Sequence, residues 1–128
     1  MNKKGIHTPN APAAIGPYQQ GIRVGDWVFT SGQIALDPAT GEFMSGEIEQ
    51  ETELTLKNVQ AILNAEGLSL DHVVKATVYL ADMGDFARMN QVYEKFFADS
   101  KPARACVQAA ALPKGARVEI DVIATAAG

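Results

Sequence analysis

Three side chains in the C-terminal quarter carry the clearest chemical potential of this chain: Arg104, Cys106 and Glu119. Arginine offers a planar fork of donors that matches a carboxylate. A nearby carboxylate such as Glu119 can orient a water or shuttle a proton. Together the two describe an anion site with a proton-transfer group. The same pair also fits a cross-strand ion pair on a solvated sheet, which contributes about 0–1 kcal/mol. Cys106 suggests a nucleophile, but a catalytic cysteine needs a base partner. His7 lies in an N-terminal arm and His72 in a helix-to-strand turn, and neither has a reason to meet it. Cys106 therefore reads as a small, half-buried residue. No His-x-His, His-x-x-x-His or Cys-x-x-Cys spacing exists, so no metal is expected. The stretch Gly41 to Gly46 lacks the lysine and the strand–helix context of a phosphate loop.

The elements that must position these groups follow from periodicity. Gln20–Val24 and Trp27–Gly32 flank Gly25-Asp26, which predicts a hairpin with a tight turn. Thr8 to Gly16 reads as an extended arm or loop, and Asp37-Pro38-Ala39-Thr40-Gly41 as a second turn. Glu47 to Glu66 predicts a helix, with Ile48, Thr52, Leu56, Val59, Ile62 and Leu63 on one face and Gly67 as its stop. Val73 to Leu80 predicts a strand with Val74, Ala76, Val78 and Leu80 pointing one way. Asp85 is placed to cap a second helix, Phe86 to Phe97, whose stripe is Phe86, Met89, Tyr93, Phe96 and Phe97. Ala103 to Ala110 and Arg117 to Ala126 predict two more strands around a Leu112-Pro113-Lys114-Gly115 turn. The order β-β-α-β-α-β-β predicts an α+β domain, a single sheet with two helices packed on one face. With the apolar sets under the helices, the opposite face is expected to collect Arg104, Cys106, Glu119, Thr77 and Tyr79. Such a mixed face is either solvated or meets another subunit and frames a site at the seam.

Composition bounds the rest. The 128 residues make a single domain, 1–128, with 47% hydrophobic and 20% charged residues, which are values of a globular chain. The formal charge is −4, and there is no lysine or arginine run. Neither nucleic acid nor an anionic membrane is an expected partner. One cysteine cannot form an intrachain disulfide, which fits a reducing compartment. With no secretory signal and no apolar run long enough to span a membrane, a cytoplasmic location is expected.

Several segments resemble the Rid family of reactive intermediate deaminases, also called YjgF. These are Gly16-Pro17-Tyr18-Gln19-Gln20, Phe29-Thr30-Ser31-Gly32-Gln33-Ile34, Asp37-Pro38-Ala39-Thr40-Gly41, Pro102-Ala103-Arg104-Ala105-Cys106-Val107, Leu112-Pro113 and Val118-Glu119-Ile120. They keep their order and spacing from about residue 6 to 125. The likeness is to the RidA branch, which keeps the arginine found here as Arg104. The alanine-rich run Ala109–Ala111 departs from the commoner family pattern.

The resemblance implies a chorismate-mutase-like fold. It also implies a homotrimer with sheets facing inward and a site in each intersubunit cleft. The implied activity is hydrolysis of 2-imino or 2-enamino acids, such as 2-aminoacrylate and 2-aminocrotonate, to 2-oxo acids and ammonia. That makes a 2-iminobutanoate/2-iminopropanoate deaminase with no cofactor. By the resemblance, Arg104 holds the substrate carboxylate and Glu119 positions or activates the water. Tyr18 and Ser31 line the cleft, and backbone groups at Gly32 and Cys106 complete the cradle. Asn90 reads either as ordering the site or as a solvated helix residue. The alternative class is a non-catalytic small-ligand-binding or chaperone-like trimer, against which Arg104 argues. A ribonuclease or translation inhibitor is disfavoured by the acidic charge. A chorismate mutase would want more cationic groups for its dianionic substrate.

Overall fold

The computed structural model describes residues 2–127. Its strands are β1 (Lys3–Ile6), β2 (Gly21–Val24), β3 (Trp27–Thr30), β4 (Val73–Leu80), β5 (Ala103–Gln108) and β6 (Val118–Thr125), and its helices are α1 (Ile48–Asn64) and α2 (Phe86–Phe97). The strands form one sheet in the order β1-β2-β3-β6-β4-β5. Both helices cover the same face, so the predicted α+β architecture holds. The core lies between them and the sheet, where Leu56, Val59, Ile62 and Met89 meet Ala76, Val78, Leu80, Val118, Ile120 and Val122.

Local chemistry explains most boundaries. Gly25 takes φ +57°, so Val24 and Trp27 pair across a two-residue turn. At the start of α1 the Gln50 side chain accepts from the Glu47 N–H at 2.9 Å. Its end is closed by Gly67 at φ +74°, with Leu68 N–H on Leu63 O and Gly67 N–H on Asn64 O, both at 3.0 Å. Asp85 does not cap α2 with its side chain. A short 3-10 turn precedes the helix, and Asp82 caps that instead, accepting from Gly84 N–H at 2.8 Å.

Three expectations are corrected. β1 is an added strand, paired antiparallel with β2, and its Lys-Lys-Gly-Ile sequence carries no alternation that would announce it. A bulge between Val73 and Lys75 turns Val73 into the core and leaves Val74 exposed. β5 and β6 are not neighbours either, because β4 lies between them, parallel to β5 and antiparallel to β6.

That last arrangement also corrects the face assignment. Arg104 pairs with Ala76 and Cys106 with Val78. Paired residues point to the same side, and Ala76 and Val78 are buried under the helices. Arg104 and Cys106 therefore lie on the helix side. Glu119 pairs with Tyr79 and Asp121 with Thr77, on the open side. The Arg104–Glu119 ion pair that the sequence permits does not form.

Candidate active site

Glu119 sits on the open face beside a local irregularity in the sheet. β3 and β6 pair through Phe29↔Ile123, and pairing resumes at Gln33↔Ile120. The chain on the β3 side therefore has one residue more than β6 between these bridges, which is a bulge. Within it, the Thr30 hydroxyl accepts the Val122 N–H at 3.0 Å. Gly32 is thereby pressed against the Glu119 carboxylate, so closely that a Cβ there would stand 2.9 Å from the Glu119 Cδ. Ser31 donates its hydroxyl proton to Gln19 O at 2.5 Å. Its oxygen keeps only acceptor capacity for a ligand.

Tyr18, Gly32 and Glu119 line one cleft of about 320 Å³, with Lys114 at its margin. Tyr18 is 51% exposed, and its hydroxyl accepts from Ile15 N–H at 3.3 Å. The arm that walls the cleft is held by Gln20, which sequence reasoning did not single out. Buried Gln20 accepts from Thr8 N–H at 2.7 Å and donates to Thr8 O, Ala11 O and Pro12 O at 2.8–3.1 Å. The signal available was the Gln19-Gln20 pair at the start of the predicted hairpin, which many solvated segments share.

Burial first, and then the Asp121 carboxylate, push the Glu119 carboxyl above its ordinary range. Asp121 is raised by burial as well, against the pull of Tyr79 and Lys75. The folded state thus holds these protons more tightly than the unfolded chain does. The stability this confers is present below the ordinary carboxylate range and is lost as pH rises through the raised values. Glu119→Gln is expected to raise Tm at neutral pH, measured by calorimetry. An unchanged or lower Tm would show the carboxylate to be stabilised in the fold.

Arg104 forms a second locus on the other side of the sheet. Its Nη1 donates to Asn90 Oδ1 at 2.6 Å. Its guanidinium carbon lies 4.7 Å from the Tyr93 ring centroid and 5.3 Å from that of Phe86. It makes no ion pair among the described residues. Asn90 and Arg104 line one open cleft of about 630 Å³ along α2. Cys106 lies two residues further along β5, packed against the core. Burial pushes its thiol up, with Arg104 opposing, so it is a poor nucleophile at neutral pH. His72 is committed through Nδ1 to the Ser69 N–H at 3.0 Å. No cluster of three or more metal-ligating side chains occurs among the described residues.

The structure thus sorts the sequence candidates into two groups. Tyr18, Gly32 and Glu119 share one cleft; Ser31, next to Gly32 in the chain, is not among its lining residues and spends its hydroxyl proton on Gln19 O. Asn90, Arg104 and Cys106 gather on the helix side at the β5 edge. A single chain does not bring the two groups together. The open face between them carries Trp27, Phe29 and Val107, each 43–49% exposed.

A family model described as Endoribonuclease L-PSP matches residues 8–126, which is nearly the whole chain. The chain belongs to the Rid (YjgF) family. Among its Rid relatives, a RutC family protein from Pyrococcus horikoshii is 52% identical over 122 residues, covering 95% of this chain and 97% of the relative. The 2-iminobutanoate/2-iminopropanoate deaminase of Mus musculus is 49% identical, covering 95% of this chain and 90% of its own. The crystal structure of Escherichia coli TdcF with bound serine superimposes with a TM-score of 0.90 at 47% identity, covering 95% of this chain and 98% of that one. The Rid fold, chorismate-mutase-like in architecture, is therefore that of this chain. No helix among the described residues is long and apolar enough to cross a membrane.

Proposed function

We propose that this Rid chain is a 2-iminobutanoate/2-iminopropanoate deaminase of the RidA type, acting in the cytoplasm without a cofactor. The observation that carries the reading is Arg104. Its guanidinium is held by Asn90, Phe86 and Tyr93 and is left without a carboxylate partner among the described residues. A fixed, unpaired guanidinium is an anchor for a planar carboxylate. Relatives named as deaminases of small imino acids, at about half identity, support the same assignment.

The reaction adds the oxygen of water to the imine carbon and breaks the C–N bond, giving a 2-oxo acid and ammonia. Arg104 would hold the substrate carboxylate, with Asn90 fixing the guanidinium. Glu119, with its carboxyl raised toward the working range, would take a proton from the water and return it to the departing nitrogen. Tyr18 and Ser31 would line the cleft, and the backbone at Gly32 and Cys106 would complete it. Arg104 and Glu119 lie on opposite sides of one sheet. In this reading each site is therefore finished by a second copy, in a homotrimer with open faces turned inward. The half-exposed Trp27, Phe29 and Val107 suit that burial.

The test generates 2-aminoacrylate and 2-aminocrotonate in place with a serine/threonine dehydratase and traps residual imine with semicarbazide. Wild type should deplete the trapped imine. Arg104→Ala should lose about a hundredfold or more in kcat/KM. A folded wild-type protein that leaves the imine at its spontaneous rate sinks the reading.

A further inference from the structure

Phe86, Asn90 and Tyr93 are spaced i, i+4, i+7 along α2 and form one stripe. Arg104 reaches across from β5 and lies over that stripe. Asn90 Oδ1 accepts a hydrogen bond from its Nη1, while the two rings approach its guanidinium carbon at 5.3 and 4.7 Å. An arginine over ring faces is attracted by their quadrupoles and keeps its N–H edge free. Tyr93 is 6% exposed, yet its hydroxyl has no hydrogen-bond partner among the described residues. The ring, rather than the phenol oxygen, is thus the working part of that side chain. Phe86 is only half-buried, and a phenylalanine so placed adds less to the core than a fully buried one.

We propose that Phe86 and Tyr93 are positioning residues that hold the Arg104 guanidinium edge-on and so set the affinity for a small planar carboxylate. This rests on the deaminase reading for the identity of the substrate, but the ring–guanidinium contacts stand without it. Neither ring touches the reacting carbon in this scheme. Their effect is on anchoring, and anchoring is read in KM and in ligand affinity.

Two measurements test the proposal and separate it from the function it rests on. The first is imine turnover by the trapping assay. The second is calorimetric binding of 2-oxobutanoate, a carboxylate probe that needs no catalysis. Phe86→Leu is expected to raise KM and weaken probe binding by about fivefold to tenfold, with a smaller change in kcat. A fluorinated phenylalanine at position 86 keeps the shape, withdraws charge from the ring face, and should move both values in the same direction. A purely structural role would not respond to fluorination. Tyr93→Leu should weaken the probe similarly, and Tyr93→Phe should restore it. If Tyr93→Leu fails to fold, the position 86 series still decides.

The proposal is overturned if Phe86→Leu and the fluorinated variant bind the probe as wild type does, or if Tyr93→Phe is as weak as Tyr93→Leu. It also falls if wild type does not bind the probe at all. If wild type binds the probe, the ring variants weaken it, and imine loss is not accelerated, the cradle stands and the deaminase reading falls. If imine turnover is present and its KM is unmoved by the ring changes, the deaminase reading stands and the cradle falls.

Discussion

Mixing two inactive variants should restore activity. Arg104→Ala and Glu119→Gln chains, each purified alone, are expected to fall about a hundredfold or more in imine turnover. After joint unfolding and refolding, the mixture should recover about a quarter of wild-type activity. The arithmetic follows from the proposed assembly, in which the site would lie at a heterologous ring interface. Each site would take Arg104 from one subunit and Glu119 from the next. At equal mixing, each position is intact with a chance of one half, and the product is one quarter. The prediction comes straight from the sheet. Arg104 follows Ala76 to the helix side, and Glu119 follows Tyr79 to the open side. If both groups acted within one chain, every chain in the mixture would be defective and no activity would return. Recovery near zero, with the mixed oligomer confirmed by native mass spectrometry, would therefore refute the shared site.

The second large effect is at Gly32. Gly32→Ala should abolish most activity and leave Tm nearly unchanged. An added Cβ would collide with the Glu119 carboxylate. The far end of a flexible side chain can swing away at small cost, so the fold survives. The carboxylate, however, leaves the position from which it would handle the water. A displacement of about 1 Å from productive geometry costs on the order of a hundredfold in rate. Paired calorimetry and imine trapping check both halves of the statement. Near-normal turnover would show that Glu119 acts from elsewhere or not at all. A collapse in Tm would show that the bulge backbone, rather than the carboxylate, gives way.

Periodicity revealed those elements whose buried side faces one continuous core. α1 and β6 are examples, since Val118, Ile120, Val122 and Ala124 are all buried. It misled at β5. There the outward positions Ala103, Ala105 and Val107 are apolar, and the helix-side positions Arg104, Cys106 and Gln108 are polar or small. Reading apolar as inside inverts the strand. As an edge strand with the site on its helix side, β5 has its polarity set by the site and by the exposed face, not by the core. The same inversion hid the division of the candidate site, because both C-terminal strands were expected to share one polar face. The residues themselves were legible through type and motif. Their placement required the parallel pairing of β4 with β5, which no local pattern encodes. Gln20 and the two ring positions were invisible as site components for a related reason. Their roles exist only through partners 8–18 residues away in sequence.

The placement of β6 has a consequence for how the chain is made. β6 is the last strand in chain order, yet it is the only one that joins β3 to β4. A ribosome delivers the β2–β3 hairpin, both helices and the β4–β5 pair before the strand that unites them. Until residues 118–125 emerge, β3 and β4 each present an open edge, and the apolar faces of α1 and α2 have half a floor. Those edges are templates for wrong pairing. Completion then relies on contacts between residues far apart in sequence, which are slow to form. The nascent chain is thus most exposed to aggregation in the interval just before its final strand arrives, and loss of that strand would release two half-sheets in place of a weakened whole.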